Sequence, residues 1–178
     1  CNLVNPYVEV STGSLGPGMP IACGIAAALR VNGNTTSRVY TIMGDGEQSE
    51  GSIWEAVSNA VHYKLGNIVG IVDFNGFEAD GAIDDITGLG DIAEKYRAFG
   101  WNVVEIDGNN IKVIVDCLDN LPKASSITPT VIIAHTVKGK GVPFMENQAR
   151  WHAGKITNEQ LTESTQKLIN EYESRWDS

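Results

Sequence analysis

The chain is short of cations. Its 178 residues carry 13 lysines and arginines against 22 aspartates and glutamates, a formal charge of −9. That deficit argues against a nucleic-acid groove, which needs a basic face. An anionic ligand must therefore be held locally, by backbone N–H groups, a bound cation or a few placed basic residues. Cysteine is scarce as well. Cys1, Cys23 and Cys117 are far apart and form no C-x-x-C pair, which argues against a disulfide scaffold and for a reducing, cytoplasmic setting. Cys23, in the apolar run IACGIAAAL, reads as a buried thiol. No apolar run reaches the roughly 18 residues of a membrane span. Internal repeats and low-complexity linkers are missing too. The opening CNLVNPYVEV lacks the basic-then-apolar pattern of a leader. It starts at Cys1 rather than Met, so a processed, truncated or partial chain is expected.

What is present is an ordinary globular composition, 42% hydrophobic, on enough chain for one domain with a sizeable core. Strand-like and helix-like stretches alternate. YVEVSTGSLGPG reads as an extended segment entering a glycine-rich loop. MPIACGIAAALRV reads as a largely buried helix and RVYTIM as a strand. SIWEAVSNAVHYKL puts Ile53, Trp54, Val57, Val61 and Leu65 on one helical face, with Gly66 placed to end the helix. NIVGIVDF is the nearly continuous apolar strand that a parallel sheet buries on both faces. DIAEKYRAFG, WNVVEI, IKVIVDCLDNL and TVIIAHTV continue as helix, strand, helix and strand. TNEQLTESTQKLINEYESRW reads as an amphipathic helix opened by a Thr157–Gln160 capping box. The alternation predicts a single α/β domain: a doubly wound, mostly parallel sheet with helices on both faces, residues 1–155 forming the core and 156–178 a terminal helix.

In such sheets ligands bind beyond the carboxyl ends of the strands. Two loops fall there, GDGEQSEG after one strand and NGFEADG after the next, so Asp45 and Asn75 are expected to meet at one rim. Asp45 offers a hard carboxylate oxygen and Asn75 a neutral carbonyl oxygen. The loop after Asn75 can turn a backbone carbonyl inward. These are ligands for Mg²⁺ or Ca²⁺ rather than zinc. Mg²⁺ usually shares its shell with phosphate oxygens, so the implied ligand is a metal–diphosphate, approached closely at Gly44 and Gly46. Taken alone, GDG is also an ordinary Asp-Gly turn, and NGFEADG a plain surface loop. An EF-hand fits poorly: counted from Asp73, Phe77 takes a ligand position and Glu78 the glycine position.

The pair is more specific than either loop. A GDG whose Asp is followed 30 residues later by an Asn, with a helix and a strand between, resembles the thiamine-diphosphate motif. EVSTGSLGPG, GDGEQSEGSIWEA, KLGNIVGIVDFN, VEIDGNN and TVKGKGVPFMENQARWHAG resemble, in order and spacing, the amino-terminal, diphosphate-binding domain of transketolases, from about Val8 to about Gly154. The resemblance implies thiamine diphosphate as cofactor, with Mg²⁺, Ca²⁺ or Mn²⁺. It puts the metal on the side chains of Asp45 and Asn75 and the backbone carbonyl of Phe77. Gly46, beside Gly44, turns its amide to the diphosphate. TGSLGPG lies along the cofactor through Gly13, Ser14 and Leu15; its GxxGxG spacing departs from the GxGxxG of a dinucleotide loop. Lys138 in KGKG and His152 in WHAG match residues that reach the cofactor's phosphate and the reacting centre, although the family pattern is WHG and Ala153 intervenes here. Glu50 and Glu55 match glutamates of an acidic network near a dimer interface; both also suit a helix start, where acids complement the macrodipole. His62 and His135 have no such match and read as structural or surface histidines.

The same resemblance implies an activity: transfer of a two-carbon ketol unit from a ketose phosphate to an aldose phosphate, as in the pentose phosphate pathway. Transketolases carry a segment ahead of VEVSTGSLG and a pyrimidine-binding domain after this region. The chain resembles the amino-terminal subunit of split transketolases, lacking its front end. It is expected to be inactive alone and to work in a homodimer or heterotetramer with a pyrimidine-domain transketolase subunit, with no nucleic acid and no membrane involved. The alternatives are a subunit of another thiamine-diphosphate enzyme, of deoxyxylulose-phosphate synthase or keto-acid dehydrogenase type, and a non-catalytic module that keeps the fold. WEA and KGKGVPFMEN favour transketolase over the first. Intact Asp45 and Asn75 argue against the second.

Overall fold

Four β-branched-rich stretches form one parallel sheet in a computed structural model that describes residues 4–174; residues 1–3, with Cys1, and residues 175–178, with the expected end of the terminal helix, lie outside the described residues. The strands are β1 (Val39–Gly44), β2 (Ile68–Phe74), β3 (Asn102–Asp107) and β4 (Thr130–His135), in the order β1-β2-β4-β3. The helices are α1 (Gly18–Val31), α2 (Gly51–His62), the single turn α3 (Ile83–Ile86), α4 (Ile92–Phe99), α5 (Ile111–Asp119) and α6 (Asn158–Ser174). Parallel neighbours need crossovers, and the helices between strands supply them. The register places Gly44 opposite Asp73 and Phe74 opposite His135. β1, β2 and β4 therefore finish together and deliver their loops to one rim.

One sheet face carries Met43, Val72, Val131 and Ile133. They pack with Met19, Ala22, Cys23 and Ala26 of α1, Ile53 and Val57 of α2, and Tyr96 of α4. Side chains of the opposite parity, Val69, Ile132 and Ala134, are also buried but lie outside that cluster; successive strand residues point to opposite faces. The doubly wound α/β architecture follows. Side-chain and glycine caps close several helix ends. Asp91 accepts the Glu94 N–H, and Gly100 closes α4 in the left-handed region. Thr157 and Gln160 exchange side-chain and backbone bonds at 3.0 and 3.2 Å, the expected capping box.

Two expectations need correction. α1 is not largely buried: Ile21 and Ile25 are each 38% exposed. Among the described residues β1 is the outer strand and α1 packs against α2 on one side. Gly66 does not end α2, which stops at His62. Lys64 takes the left-handed conformation, at φ 56°. The Leu65 N–H reaches the Ala60 carbonyl and the Lys64 N–H that of Val61, the paired bonds of a Schellman ending. Gly66 serves a different need: a Cβ there would stand 2.1 Å from the Ser126 carbonyl oxygen.

Candidate functional site

The Asp45 N–H donates to the Asp73 carbonyl at 3.2 Å, carrying the β1–β2 ladder one residue past Gly44. The Asp45 side chain thereby faces the loop after β2. Its Oδ2 accepts the N–H groups of Asn75 at 2.8 Å and Gly76 at 2.6 Å, and its Oδ1 accepts that of Gly46 at 2.8 Å. Asp45 is 2% exposed. Burial pushes its carboxyl above the usual carboxylate range; the bonds from Gly76, Gly46 and Asn75 pull it down, and the Asp73 charge adds a smaller upward push. Charged acceptors are costly to bury unless bonded in this way. A carboxylate oxygen has about two acceptor sites, so Oδ1, with one donor, retains a lone pair for a cation.

Asn75, half-buried, accepts the Phe77 N–H on its Oδ1 at 3.1 Å. This side-chain turn starts a small hairpin in which Phe77 bridges Ala82 and the Glu78 N–H donates to the Gly81 carbonyl at 2.8 Å. The hairpin brings Glu78 against Gly46, where a Cβ would stand 3.0 Å from its Cγ. Gly44, Asp45, Gly46, Asn75 and Phe77 are thus brought together. Among the described residues no cluster of three His, Cys, Asp or Glu side chains could hold a metal unaided. A mixed set of one carboxylate, one amide and a backbone carbonyl instead suits a hard cation whose remaining ligands come from water and phosphate.

Lys138 follows β4. The Thr136 N–H donates to the Phe74 carbonyl at 3.0 Å and the Thr136 hydroxyl bonds Asp73, so half-buried Lys138 lies two residues beyond a stretch anchored at the same rim. Gly13, Ser14 and Leu15 are exposed in the loop before α1. That loop reaches the GDG turn through the Gly16 N–H, which donates to Glu47 Oε1 at 2.7 Å. A groove of about 490 Å³ runs beside it, lined by residues including Ser14, Leu15, Ile21, Ile25, Tyr40 and Ile42. Glu50, exposed, is the residue at the start of α2, without a side-chain capping bond, and Glu55 is exposed one turn on. His152 is exposed at the end of a 3-10 turn, Ala149–His152. Its neighbour Trp151 is fixed by an indole N–H bond to the Phe144 carbonyl at 2.8 Å. No hydrogen bond joins His152 to Asp45, Asn75 or Lys138 among the described residues. His135, half-exposed, contacts the Glu105 carboxylate at 3.2 Å in a surface ion-pair chain with Arg97.

Sequence patterns did not single out Glu47, Gln48 or Tyr96. Gln48 is fully buried. Its Nε2 donates to the Gly44 carbonyl at 3.2 Å, and its Oε1 accepts the Tyr96 hydroxyl at 2.8 Å. α4 thereby props the GDG turn from behind. A buried tyrosine needs a partner for its hydroxyl, which is a signal of a kind, but spacing does not say which partner.

The family model for the transketolase, thiamine diphosphate binding domain, matches residues 2–175. An apulose-4-phosphate transketolase subunit of Phocaeicola vulgatus is 37% identical over 94% of this chain and 59% of its own length. The 6-deoxy-6-sulfo-D-fructose transketolase subunit of a Clostridium species is 37% identical over 92% of this chain and 59% of its own. The chain thus spans about three fifths of these relatives. Among solved structures, the transketolase of Campylobacter jejuni superposes with a TM-score of 0.81 at 28% identity, covering 90% of this chain and 26% of that one.

Proposed function

The chain belongs to the transketolase family, as its thiamine-diphosphate-binding domain, and from that premise we propose that it is the metal- and diphosphate-holding half of an enzyme that moves a two-carbon ketol unit from a ketose phosphate to an aldose phosphate. One observation carries the reading. A buried carboxylate, Asp45, is fixed by three backbone N–H groups directly beside Asn75, at the carboxyl ends of two parallel strands.

The donor set fits Mg²⁺, and equally Ca²⁺ or Mn²⁺. Asp45 and Asn75 hold the ion through their side chains and Phe77 through its carbonyl. Gly44 and Gly46 leave room for the phosphates, and Gly13, Ser14 and Leu15 lie along the cofactor. Lys138 offsets phosphate charge, and His152 serves the reacting centre from the segment that follows β4. Thiamine diphosphate, when bound, supplies the carbon nucleophile for cleaving and making the carbon–carbon bond. Asp45 is a fixed ligand rather than a proton carrier, because its oxygens are held by N–H donors. Glu50 and Glu55 stand exposed at the start of α2, where carboxylates of a second protomer can reach them. A pyrimidine-domain subunit completes the site in a homodimer or heterotetramer; the Phocaeicola relative is itself named as one subunit of a transketolase. The setting is cytoplasmic sugar-phosphate metabolism of the pentose phosphate type.

Thermal unfolding tests the reading. Ligand at about 100 times its dissociation constant adds about 2.7 kcal/mol, a rise of roughly 5–10 °C for a domain of this size. Thiamine diphosphate with Mg²⁺ should produce a metal-dependent rise in the full protein with its partner subunit, smaller than that figure because the assembly is larger, and Asp45→Asn should abolish it. An equal rise without metal, or in the variant, would overturn the assignment.

A further inference from the structure

Glu47 lies within GDGEQSEGSIWEA but carries no role in the reading above, and it joins the two loops assigned to the cofactor. Its Oε1 accepts the Gly16 N–H at 2.7 Å and its Oε2 accepts the Gly44 N–H at 3.3 Å. Gly16 ends the Gly13–Leu15 loop, and Gly44 opens the metal turn. The loop end is tightly seated. Gly16 has φ +97°, and a Cβ there would stand 2.5 Å from Ser52 Oγ and 2.9 Å from Glu50 Cβ. A carboxylate is the side chain suited to taking two backbone N–H groups at once, one on each oxygen. It also adds a negative charge to a site meant for a diphosphate. Such a charge is tolerable where both oxygens are already engaged by donors.

We propose that Glu47 is a positioning residue that fixes the cofactor loop against the metal turn, so that the diphosphate meets both already in place. This rests on the reading of the site as a thiamine-diphosphate site. Glu47 touches neither metal nor cofactor in this role; it acts through Gly16 and Gly44. Three substitutions separate the contributions. Glu47→Ala removes both bonds. Glu47→Asp is one methylene short of spanning them. Glu47→Gln keeps an acceptor for Gly16 but turns its NH₂ toward the Gly44 N–H, donor against donor.

Two readouts are taken on the full protein with its partner subunit: calorimetric affinity for thiamine diphosphate with Mg²⁺, and backbone amide hydrogen exchange. The alanine and aspartate variants should bind at least tenfold more weakly and exchange at least tenfold faster over residues 13–18. Exchange in β2 and β4 should be unchanged, and the glutamine variant should fall between them and wild type. If the alanine variant loses protection in β2 and β4, the glutamine and aspartate variants decide the matter, because partial rescue by glutamine alone is the mark of the two bonds. Unchanged affinity, or unchanged exchange over 13–18, in the variants of a wild type that does bind would overturn this inference alone. A wild type that binds no cofactor would overturn the functional reading and this inference with it.

Discussion

The Tyr96 hydroxyl donates to Gln48 in the core, and Gln48 in turn supports the Gly44 carbonyl. Tyr96→Phe leaves Gln48 Oε1 buried without its donor, which should cost about 1–3 kcal/mol, read as a lower urea midpoint at unchanged slope. A variant as stable as wild type would show that the strut contributes nothing. Cys23 gives a second residue-scale expectation. Burial pushes its thiol from 9.0 up to about 11. As pH rises past 9 the unfolded chain loses this proton while the folded chain keeps it. The stability it contributes is therefore complete below about 9 and is lost as pH climbs through 11, about 2–3 kcal/mol in all. Buried Tyr96 is shifted in the same direction, so the comparison must be a difference. Wild type should lose more stability than Cys23→Ala between pH 9 and 11, and parallel curves would refute this. The two residues differ in legibility. Burial of Cys23 follows from the apolar run around it. The role of Gln48 does not, because its partner is 48 positions away and only the packing of α4 on α2 makes them neighbours.

At the scale of the element, the sequence shows helix and strand more clearly than it shows how each one ends. Periodicity places the buried face of α2 correctly, since Ile53 and Val57 are buried and Trp54 and Val61 pack against the same core. Yet the nearest glycine is not the cap. The paired bonds from Lys64 and Leu65 close the helix two residues before Gly66, at a lysine strained into φ 56°. Left-handed backbone costs a non-glycine residue roughly 1–2 kcal/mol, part of which glycine returns as chain entropy. Lys64→Gly should therefore stabilise the protein by about 0.5–1 kcal/mol. Gly66→Ala should destabilise it by about 1–3 kcal/mol, the usual cost of overpacking, because the segment at Ser126 must move. Chemical denaturation of both variants checks the pair. A Lys64→Gly variant no more stable than wild type would refute the cap at Lys64. β1 makes a similar point. Its sequence announces a strand, but not that Tyr40 and Ile42, exposed at 48% and 75%, take the face opposite to buried Thr41 and Met43, beside the open groove.

For the whole molecule, parallel topology and charge together shape what the rim can bind. The alternation of elements was enough to predict that Asp45 and Asn75 would meet, since two adjacent parallel strands must finish side by side. Around them the rim is acidic: Asp73 lies one hydrogen bond away, Glu78 leans on Gly46 and Glu47 sits between the loops. With a net charge of −9 and carboxylates on this rim, a diphosphate is expected to need a cation that neutralises both sides. The groups gathered here are those proposed to hold the diphosphate end of the cofactor, with the surroundings of its pyrimidine end assigned to the proposed partner subunit. The chain without its partner should therefore bind inorganic pyrophosphate and thiamine diphosphate within about threefold of each other, and only with Mg²⁺ present. A tenfold preference is about 1.4 kcal/mol. Such a preference for thiamine diphosphate should emerge on adding the pyrimidine-domain subunit, measured by calorimetry on the same samples. Tenfold preference in the chain alone would mean that the groove beside α1 and β1 already grips the organic part of the cofactor. Binding without Mg²⁺ would mean that backbone N–H groups suffice against the surrounding carboxylates.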